Sequence, residues 1–327
     1  MKALVTGAPG WLGTRLVEVL LSKGNGVRCI ALPGINGASL SELGAQVLEG
    51  DITDPKSLQG VCDRADIVFH CAGLIHPRRI KDLYSVNVAG TDNILREAVR
   101  AGVKRFVYVS SNSVGGTNSS KNRLMSEIDP PHPYMHYGLS KYRAEKLVNG
   151  AFKEGKIQTT IIRPCWFYGI RQPERQTTFF KMIKKGNPIV FGDGSNLRSM
   201  SYIDNIVEAL LLIASKDISI GKTYWIADEK PYPTIEIYKT IAELLGVKEF
   251  KPRFLPSFAS TIFQAADAVI QGCGMYIKEI HVAGEMDKDI ACSIEKARKE
   301  LGYEPKIGLV EGMRRSIEWC RSSGIDI

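Results

Sequence analysis

The sequence lacks the cysteine patterns that mark disulfide-rich and metal-binding proteins. Its 327 residues contain seven cysteines, an odd number, and no C-x-x-C pair. Several of these cysteines lie within apolar runs typical of strands, so we interpret them as reduced core residues of a cytoplasmic protein. The pattern predicts neither a disulfide framework nor a metal site.

The sequence also lacks blocks of one charge and long uninterrupted apolar runs. Basic residues outnumber acidic ones by 43 to 35, but they are scattered, so the formal charge of +8 predicts a solvated basic surface and no nucleic-acid partner. The longest apolar candidate, residues 254–273, contains Pro256, Gln264 and Asp267. Because a membrane-spanning helix needs about 20 mostly apolar residues, this segment is expected to cover a groove of the protein, and no membrane partner is expected.

What the sequence does contain is an alternation of strand-like and helix-like segments. Short β-rich runs occur at residues 2–6, 27–32, 46–50, 66–71, 105–110 and 159–164. Between them, apolar residues recur at helical spacing. Continuous apolar strands separated by helices predict a parallel sheet covered on both faces. We therefore predict an α/β fold in which residues 1–165 form a doubly wound, Rossmann-type domain.

The composition changes after Pro164. Aromatic and basic residues become frequent, and the remainder is mostly helical in pattern, with one strand candidate at residues 223–227. Residues 166–327 are predicted to form a smaller, mostly helical substrate-binding lobe that closes one side of a cleft. Part of residues 196–227 is expected to cross back to the sheet.

Three glycines follow the first strand candidate. Gly7, Gly10 and Gly13 are spaced by three residues and precede a helix that begins near Trp11. Glycines at this position let backbone amides approach a pyrophosphate at the positive end of a helix. The spacing differs from the common G-x-G-x-x-G fingerprint, so it is the place after the first strand that indicates a dinucleotide site.

A second group of residues indicates acid/base chemistry. In "YGLSK", Tyr137 and Lys141 are four residues apart at the start of a helical stretch, hence neighbours on one face. A phenol, with a reference pKa of about 10, is a poor acid or base at neutral pH unless a cation stabilises the phenolate. Upstream, Ser110, Ser111 and Ser113 end a predicted central strand, where ligands gather in open parallel sheets. A serine there can hold a substrate oxygen for the tyrosine.

With these motifs the chain resembles the extended short-chain dehydrogenase/reductases, also called NAD-dependent epimerase/dehydratases. The resemblance runs nearly end to end and is carried by the stretches "TGAPGWLG", "GDITD", "HCAG", "NVAGT", "VSSNSVGG", "YGLSK", "RPCWFYG", "GDGSNLRSMSYIDN" and "KARKELGYEP". It implies an enzyme that binds NAD or NADP, with NAD favoured, and a small-molecule substrate. It also implies a homodimer formed through the helices that contain residues 83–99 and 137–150.

The resemblance implies a role for each residue that matches a motif. Tyr137 is the acid/base, Lys141 binds the ribose hydroxyls and lowers the pKa of the tyrosine, and Ser111, three residues before Val114, orients the reacting oxygen. The glycines bind the pyrophosphate, and further residues border the adenine and the nicotinamide. The whole cofactor-binding set is Gly7, Gly10, Trp11, Leu12, Gly13, Leu32, Asp51, Ile52, Ala72, Gly73, Asn87, Tyr137, Lys141 and Pro164.

The sequence departs from the family at the ribose site. Leu32 stands near the place where an acidic residue would bind a 2′-hydroxyl or an arginine a 2′-phosphate. The preference for NAD over NADP therefore rests only on the cofactor that is usual in the family.

The substrate class leaves alternatives open. Trp166 stands where nucleotide-sugar enzymes usually carry an asparagine, and with the apolar residues 255–271 it favours the 3β-hydroxysteroid dehydrogenase and dihydroflavonol reductase branch. In that branch the enzyme interconverts a secondary alcohol and a ketone. The alternative is a nucleotide-sugar 4-epimerase or 4,6-dehydratase with tightly bound NAD, favoured by arginines that flank the predicted pocket loops: Arg78, Arg79, Arg171, Arg175 and Arg198. The predicted substrate-binding residues are Ser111, Asn112, Trp166, Arg171 and Arg198.

A third reading, a cofactor sensor without catalysis, is disfavoured by the intact serine, tyrosine and lysine, because a sensor has no need of an acid/base.

Overall fold

The computed structural model describes residues 1–121 and 123–327. The strands among these residues are β1 Lys2–Thr6, β2 Gly26–Ala31, β3 Gln46–Glu49, β4 Ile67–His70, β5 Arg105–Val109, β6 Gln158–Pro164, β7 Trp166–Tyr168, β8 Ile189–Phe191, β9 Leu197–Arg198, β10 Met200–Tyr202, β11 Lys222–Ile226, β12 Tyr232–Pro233 and β13 Arg253–Leu255.

The helices in the same part of the chain are α1 Trp11–Ser22, α2 Ala38–Glu42, α3 Ile80–Tyr84, α4 Gly90–Arg100, α5 Met135–Lys153, α6 Glu174–Lys184, α7 Ile203–Ser215, α8 Thr234–Leu245, α9 Ser257–Gly272, α10 Lys278–Glu285, α11 Glu295–Leu301 and α12 Leu309–Ser322. A π-helical turn, Ser85–Ala89, joins α3 to α4, and 3₁₀ turns occupy Pro55–Leu58, Asn112–Val114 and Asp217–Ser219.

Seven of the described strands form one parallel sheet in the order β11-β6-β5-β4-β1-β2-β3. The predicted α/β fold with a doubly wound parallel sheet is confirmed. Since β1 lies between β2 and β4, the strand order reverses beside β1. Ligands bind in open parallel sheets at the crevice created by such a reversal, outside the carboxyl ends of the strands.

Two apolar layers cover the sheet. Alternate residues of a strand point to opposite faces, and Val5 and Phe69 join the layer that includes α1 and α7. Leu4 and Val68 join the layer that includes α4 and α5. This double burial explains why the strands appear as continuous apolar runs in the sequence.

The remaining short strands pair outside the main sheet, β7 with β10, β9 with β12 and β8 with β13. The prediction of a single strand in residues 166–327 was wrong, because the structure contains further strands of two or three residues there. Strands this short show no period in the sequence. The one strand that was predicted there corresponds to β11, which pairs with β6 in the main sheet. The division of the chain at residue 165 stays a prediction.

No helix in residues 1–121 and 123–327 is long and apolar enough to cross a membrane. Most of the cysteines are buried, as expected of core residues, but Cys273 at the end of α9 is exposed.

Candidate active site

The glycine loop leaves β1 at the carboxyl edge of the sheet. Gly7 has a φ of +82°, and a Cβ placed there would lie 2.6 Å from the amide nitrogen of Ala72. The amide of Gly10 donates to the carbonyl of Gly7 at 2.9 Å, and Gly10 is the N-cap of α1. Only glycine fits position 7, because both the backbone angle and the close approach to the backbone just after β4 exclude a side chain.

The N-terminus of α1 fits a pyrophosphate. Gly10 has no side chain to cap the helix, and the first turn, Trp-Leu-Gly-Thr, has no carboxylate to occupy the free amides. Trp11 donates its indole N–H to the carbonyl of Ile170 at 2.6 Å, which joins the glycine loop to the loop after β7. Leu12 is buried beneath the turn. These features agree with the predicted dinucleotide site.

The loops after β2 and β3 contain the residues that the sequence analysis predicts at the ribose and the adenine. Leu32 follows β2 and is 51% exposed. After β3, the Asp51 carboxylate accepts hydrogen bonds from the amide and the hydroxyl of Thr53, both at 2.8 Å. Ile52 is buried against Gly90, where a Cβ would lie 2.7 Å from its Cδ1 atom. Leu32, the residue predicted at the ribose, is thus an exposed apolar side chain at the end of β2.

A buried histidine fixes the crevice between β1 and β4. His70 Nδ1 lies 2.7 Å from the hydroxyl of Thr6, and its Nε2 lies 3.0 Å from the hydroxyl of Thr91. Burial, together with the nearby Lys141 charge, lowers the pKa of His70 to about 3. The imidazole is therefore neutral, and its hydrogen bonds connect β4 to β1 and to α4. The sequence analysis did not select it, although it stands in "HCAG".

Asn87 brings the loop after β4 to α5. Its Oδ1 accepts from the amide of Leu74 at 2.8 Å, and its Nδ2 donates to the carbonyl of Leu74 and to Ser140 Oγ, each at 2.9 Å. A Cβ at Gly73 would lie 3.4 Å from Asn87 Oδ1 and 3.6 Å from Lys141 Nζ. Asn87 belongs to the π-helical turn, a feature frequent at functional sites. Gly73, Asn87 and Lys141, three of the predicted cofactor-binding residues, thus lie side by side.

Lys141 extends from α5 into this cluster and is only 3% exposed. Its Nζ donates to the carbonyl of Val109, the last residue of β5, at 2.8 Å and lies 4.3 Å from the centre of the Tyr108 ring. Burial lowers the pKa of Lys141 to about 7, although the carboxylate of Glu145 opposes the shift. Burial thus makes the charged form of this amine less favourable than that of a lysine in water.

Tyr137 lies on the same helix as this lysine, and Ser111 lies two residues after Val109, whose carbonyl accepts from the lysine. Tyr137 is half-buried one turn earlier on α5, and its carbonyl accepts from Ser140 Oγ at 2.8 Å. Ser111 is buried at the end of β5 and caps the Asn112–Val114 turn, accepting from the amide of Ser113 at 3.2 Å and from its hydroxyl at 2.9 Å. The three predicted catalytic residues therefore come from the end of β5 and from adjoining turns of one helix. Asn112 is half-buried beside them.

A buried ion pair orients α5. Glu145 accepts from Arg163 Nε at 2.9 Å and from its Nη2 at 2.7 Å, and both side chains are almost fully enclosed. Arg163 belongs to β6, next to the predicted cofactor residue Pro164, which is buried at the end of that strand. This pair was missed by the sequence analysis, since nothing in the local sequence links residues on different elements.

Trp166, one of the predicted substrate-binding residues, is half-buried in β7, and its ring centre lies 5.4 Å from that of Phe179. Arg171 pairs with Glu18 of α1 at 2.5 Å. Arg198 donates to the carbonyl of Glu285, and burial lowers its pKa although acidic neighbours including Glu285 oppose the shift. Both predicted substrate-binding arginines thus have partners within the chain. The side chain of Arg175 lies outside the described part of the structure.

The comparisons with known proteins agree with this geometry. The family model described as the NAD dependent epimerase/dehydratase family matches residues 3–227. The chain belongs to this family. It is therefore a member of a family of NAD-dependent enzymes of the extended short-chain dehydrogenase/reductase class, and the expectation of an NAD cofactor is confirmed at the level of the family.

Similar proteins have differing functions. The chain is 38% identical to the uncharacterised protein y4nL of Sinorhizobium fredii, covering 98% of this chain and 95% of that protein. It is 30% identical to a 3 beta-hydroxysteroid dehydrogenase/Delta 5-->4-isomerase of Mycobacterium tuberculosis, covering 93% and 86%. The crystal structure of UDP-glucose 4-epimerase from Thermotoga maritima with UDP-glucose superposes with a TM-score of 0.81 at 25% identity, covering 99% of both chains.

Proposed function

We propose that this family member is an NAD(P)-dependent oxidoreductase that interconverts a secondary alcohol and a ketone, with Tyr137 as the acid/base. The observation that carries the proposal is the buried Lys141 amine, held against the carbonyl of Val109 one helical turn from Tyr137. Burying an amine destabilises the fold. Since this amine lies at the carboxyl end of β5, where parallel sheets bind ligands, a role in catalysis explains its burial.

The proposed roles follow from position. Tyr137 gives a proton to, or takes one from, the substrate oxygen, and Lys141 supplies the positive charge that stabilises the phenolate. Ser111, at the mouth of β5, donates a hydrogen bond to the same oxygen. The glycine loop, Gly73, Asn87 and Lys141 would hold the cofactor, whose nicotinamide exchanges a hydride with the substrate carbon when bound.

The substrate side supports an apolar molecule over a nucleotide sugar. Trp166 offers an aromatic surface, whereas Arg171 and Arg198 already have partners in Glu18 and Glu285. Freeing Arg198 for a diphosphate would leave its acidic neighbours, including Glu285, without that counter-charge. Freeing Arg171 would cost less, because Glu18 would keep its pair with Arg15. Epimerase or dehydratase activity stays as the alternative because the chain is similar to enzymes of both kinds.

The test measures turnover with NAD or NADP and a panel of steroid alcohols, simpler secondary alcohols, their ketones and UDP-glucose. We expect a net absorbance change at about 340 nm with an alcohol or a ketone. Tyr137→Phe should lower turnover about 100- to 10,000-fold, with cofactor affinity unchanged. Tyr142→Phe, on the outer side of the same helix, is the matched control and should keep full activity. Product from UDP-glucose without net reduction would favour the alternative, and near-normal turnover of Tyr137→Phe would refute the assignment.

The assembly and the compartment stay predictions. We propose a homodimer through the outer faces of α4 and α5, which pack on each other beside the candidate site, and a cytoplasmic location. Light scattering of the purified protein tests the dimer directly.

A further inference from the structure

The amine of Lys141 lies over the ring of Tyr108. Lys141 Nζ is 4.3 Å from the centre of this ring, and Tyr108, in β5, is fully buried. The same nitrogen donates to the carbonyl of Val109, the next residue of the strand, at 2.8 Å. Consecutive residues of β5 therefore offer the amine a carbonyl oxygen and an aromatic surface.

The acidic groups near this amine provide little free counter-charge. Burial lowers the pKa of Lys141, and the negative charges of Glu145 and of an ionised Cys71 oppose the shift. Glu145, however, accepts two hydrogen bonds from Arg163, at 2.9 and 2.7 Å. Burial raises the pKa of the Cys71 thiol to about 12, so this group is neutral near pH 7. The stabilisation of the buried ammonium therefore depends on the uncharged groups in contact with it.

His70 packs on the same ring and is held neutral. It lies directly opposite Tyr108 in the pairing of β4 with β5, and the two ring centres are 5.7 Å apart with their planes at 24°. Hydrogen bonds to the hydroxyls of Thr6 and Thr91 fix the orientation of the imidazole. Burial and the charge of Lys141 lower the pKa of the imidazole to about 3. The histidine beside the ring is therefore uncharged and does not repel the ammonium.

An aromatic face is an uncharged surface that attracts a cation. The π-system of the ring is negative on its face and positive at its edge, so an ammonium above the ring is stabilised. The attraction is stronger where water is excluded, and Tyr108 and Lys141 are only 0% and 3% exposed. An aliphatic side chain of similar size at position 108 would fill the space without this attraction. The ring thus contributes to Lys141 something that packing alone does not supply.

We propose that Tyr108 is a positioning residue, whose ring face holds the Lys141 amine in place and in its charged form. Its consequence for catalysis rests on the proposed function, because the charge that it preserves is the one that stabilises the phenolate of Tyr137. Tyr108 acts through Lys141 and has no contact with the substrate in this scheme. Its hydroxyl has no part in the role, so phenylalanine should replace it.

The test is the pKa of Lys141 itself, measured in the purified protein without cofactor or substrate. Nuclear magnetic resonance of the labelled lysine Cε carbons follows the titration, and the signal that is lost in Lys141→Met identifies this residue. Tyr108→Leu should lower the pKa by about one unit, because the ammonium loses its cation–π contact. Tyr108→Phe keeps the ring and should restore the pKa. A fall in Tyr108→Phe as large as that in Tyr108→Leu would assign the effect to the hydroxyl and contradict the proposal.

Phe106→Leu is the matched control. Phe106 lies two residues earlier on β5, is also fully buried, and belongs to the same apolar layer as Tyr108. Its ring centre is likewise 5.7 Å from that of His70. The variant therefore removes an aromatic ring from the same layer and should leave the pKa of Lys141 unchanged. An equal shift in this control would mean that any loosening of the layer lowers the pKa, which would overturn the proposal.

Fluorinated phenylalanines at position 108 decide the question if Tyr108→Leu fails to fold. They nearly keep the shape of the ring, while fluorine withdraws electron density from its face. The pKa of Lys141 should then fall stepwise as fluorines are added. A pKa that does not respond to fluorination, or that is equal in Tyr108→Leu and the unmodified protein, overturns the proposal.

The pH dependence of alcohol oxidation connects this result to the proposed function. Because the amine is charged below its pKa, a lowered pKa moves the loss of charge to lower pH. The alkaline decline of turnover in Tyr108→Leu should therefore begin about one pH unit lower than in the unmodified protein. A shifted pKa without turnover of any alcohol or ketone would support the role of Tyr108 and refute the proposed function. An unshifted pKa with normal turnover would do the reverse.

Discussion

Helices α5 and α9 both border the candidate site and both bury polar side chains, but for opposite reasons. In α5, Lys141 and Glu145 are buried among apolar residues such as Ala144 and Val148, which provide the packing against the sheet. In α9 the buried residues are polar throughout, and they bond mainly to α10. A polar side chain inserted into an apolar face has a chemical task, whereas a wholly polar inner face attaches one element to another.

The sharpest test of this comparison is Lys141→Met, which keeps the length of the side chain and removes its charge. We expect turnover to fall at least about 100-fold, since the general acid/base loses its cation. Lys146→Met, on the outer side of α5 above the ring of Tyr142, is the control and should stay active. Steady-state rates under identical cofactor concentrations make the comparison, and equal losses in both variants would contradict it.

The same substitution has a pH signature in stability. Because the folded protein holds the pKa of Lys141 near 7, below its unfolded value, burial of the amine opposes folding most strongly at low pH. This cost declines as pH rises from about 7 towards 10, by at most about 1.4 kcal/mol per pH unit. Any stability advantage of Lys141→Met over the unmodified chain should therefore be largest below pH 7 and shrink above it. Denaturant unfolding at several pH values measures the difference, and a difference that does not vary with pH would contradict it.

Breaking the ion pair that orients α5 should have the next largest effect. Glu145→Gln leaves the Arg163 guanidinium buried without its counter-charge, so we expect the free energy of unfolding to fall by about 3 kcal/mol. Glu154→Gln, which breaks the exposed pair with Lys156 at the end of the same helix, should cost less than about 1 kcal/mol. Urea unfolding of both variants tests whether burial sets the cost.

In α9 the expected effect is smaller and depends on pH in the other direction. Burial lowers the pKa of His281, but the hydrogen bond to Asp267 and the charges of Glu285 and Asp267 outweigh it, so the pKa is raised overall. The pair therefore stabilises the fold fully below about pH 6.5 and less as pH rises through the raised value. Asp267→Asn should cost roughly 1–2 kcal/mol at pH 6 and less at pH 9. A loss that grows with pH would show that the pair does not anchor the helix through a charged histidine.

The smallest effect should come from the outer side of α9. Ile262→Thr should change the free energy of unfolding by less than about 0.5 kcal/mol, because the side chain makes few contacts within the chain. Ile237→Thr, at a fully buried position of α8, should cost about 2 kcal/mol or more. Similar losses at both positions would mean that the side chain of Ile262 is covered in the isolated protein.

The sequence analysis predicted the main sheet and the shared helical face of Tyr137 and Lys141 because both follow local rules. Parallel strands are continuous apolar runs, and the spacing of Tyr137 and Lys141 places them on one helical face whatever the surroundings. The attachment of α5 could not be predicted, since Glu145 and Arg163 meet only through the packing of a helix on a strand. The orientation of α9 could not be predicted either. The composition of residues 254–273 shows that the segment is apolar, but it does not show which side of the helix faces inward.

The position of β11 at the edge of the main sheet has a consequence for how the chain matures. β6 has β5 on one side, and its other side gains a partner only when Lys222–Ile226 arrives. More than 60 residues beyond β6 must therefore be synthesised before β11 can pair with β6. Until then, the backbone amides and carbonyls on that edge of β6 have no strand to bond with, and such an edge promotes aggregation. Fragments that end near residue 165 should consequently aggregate. The nascent chain should need a chaperone most while the residues between β6 and β11 are being synthesised.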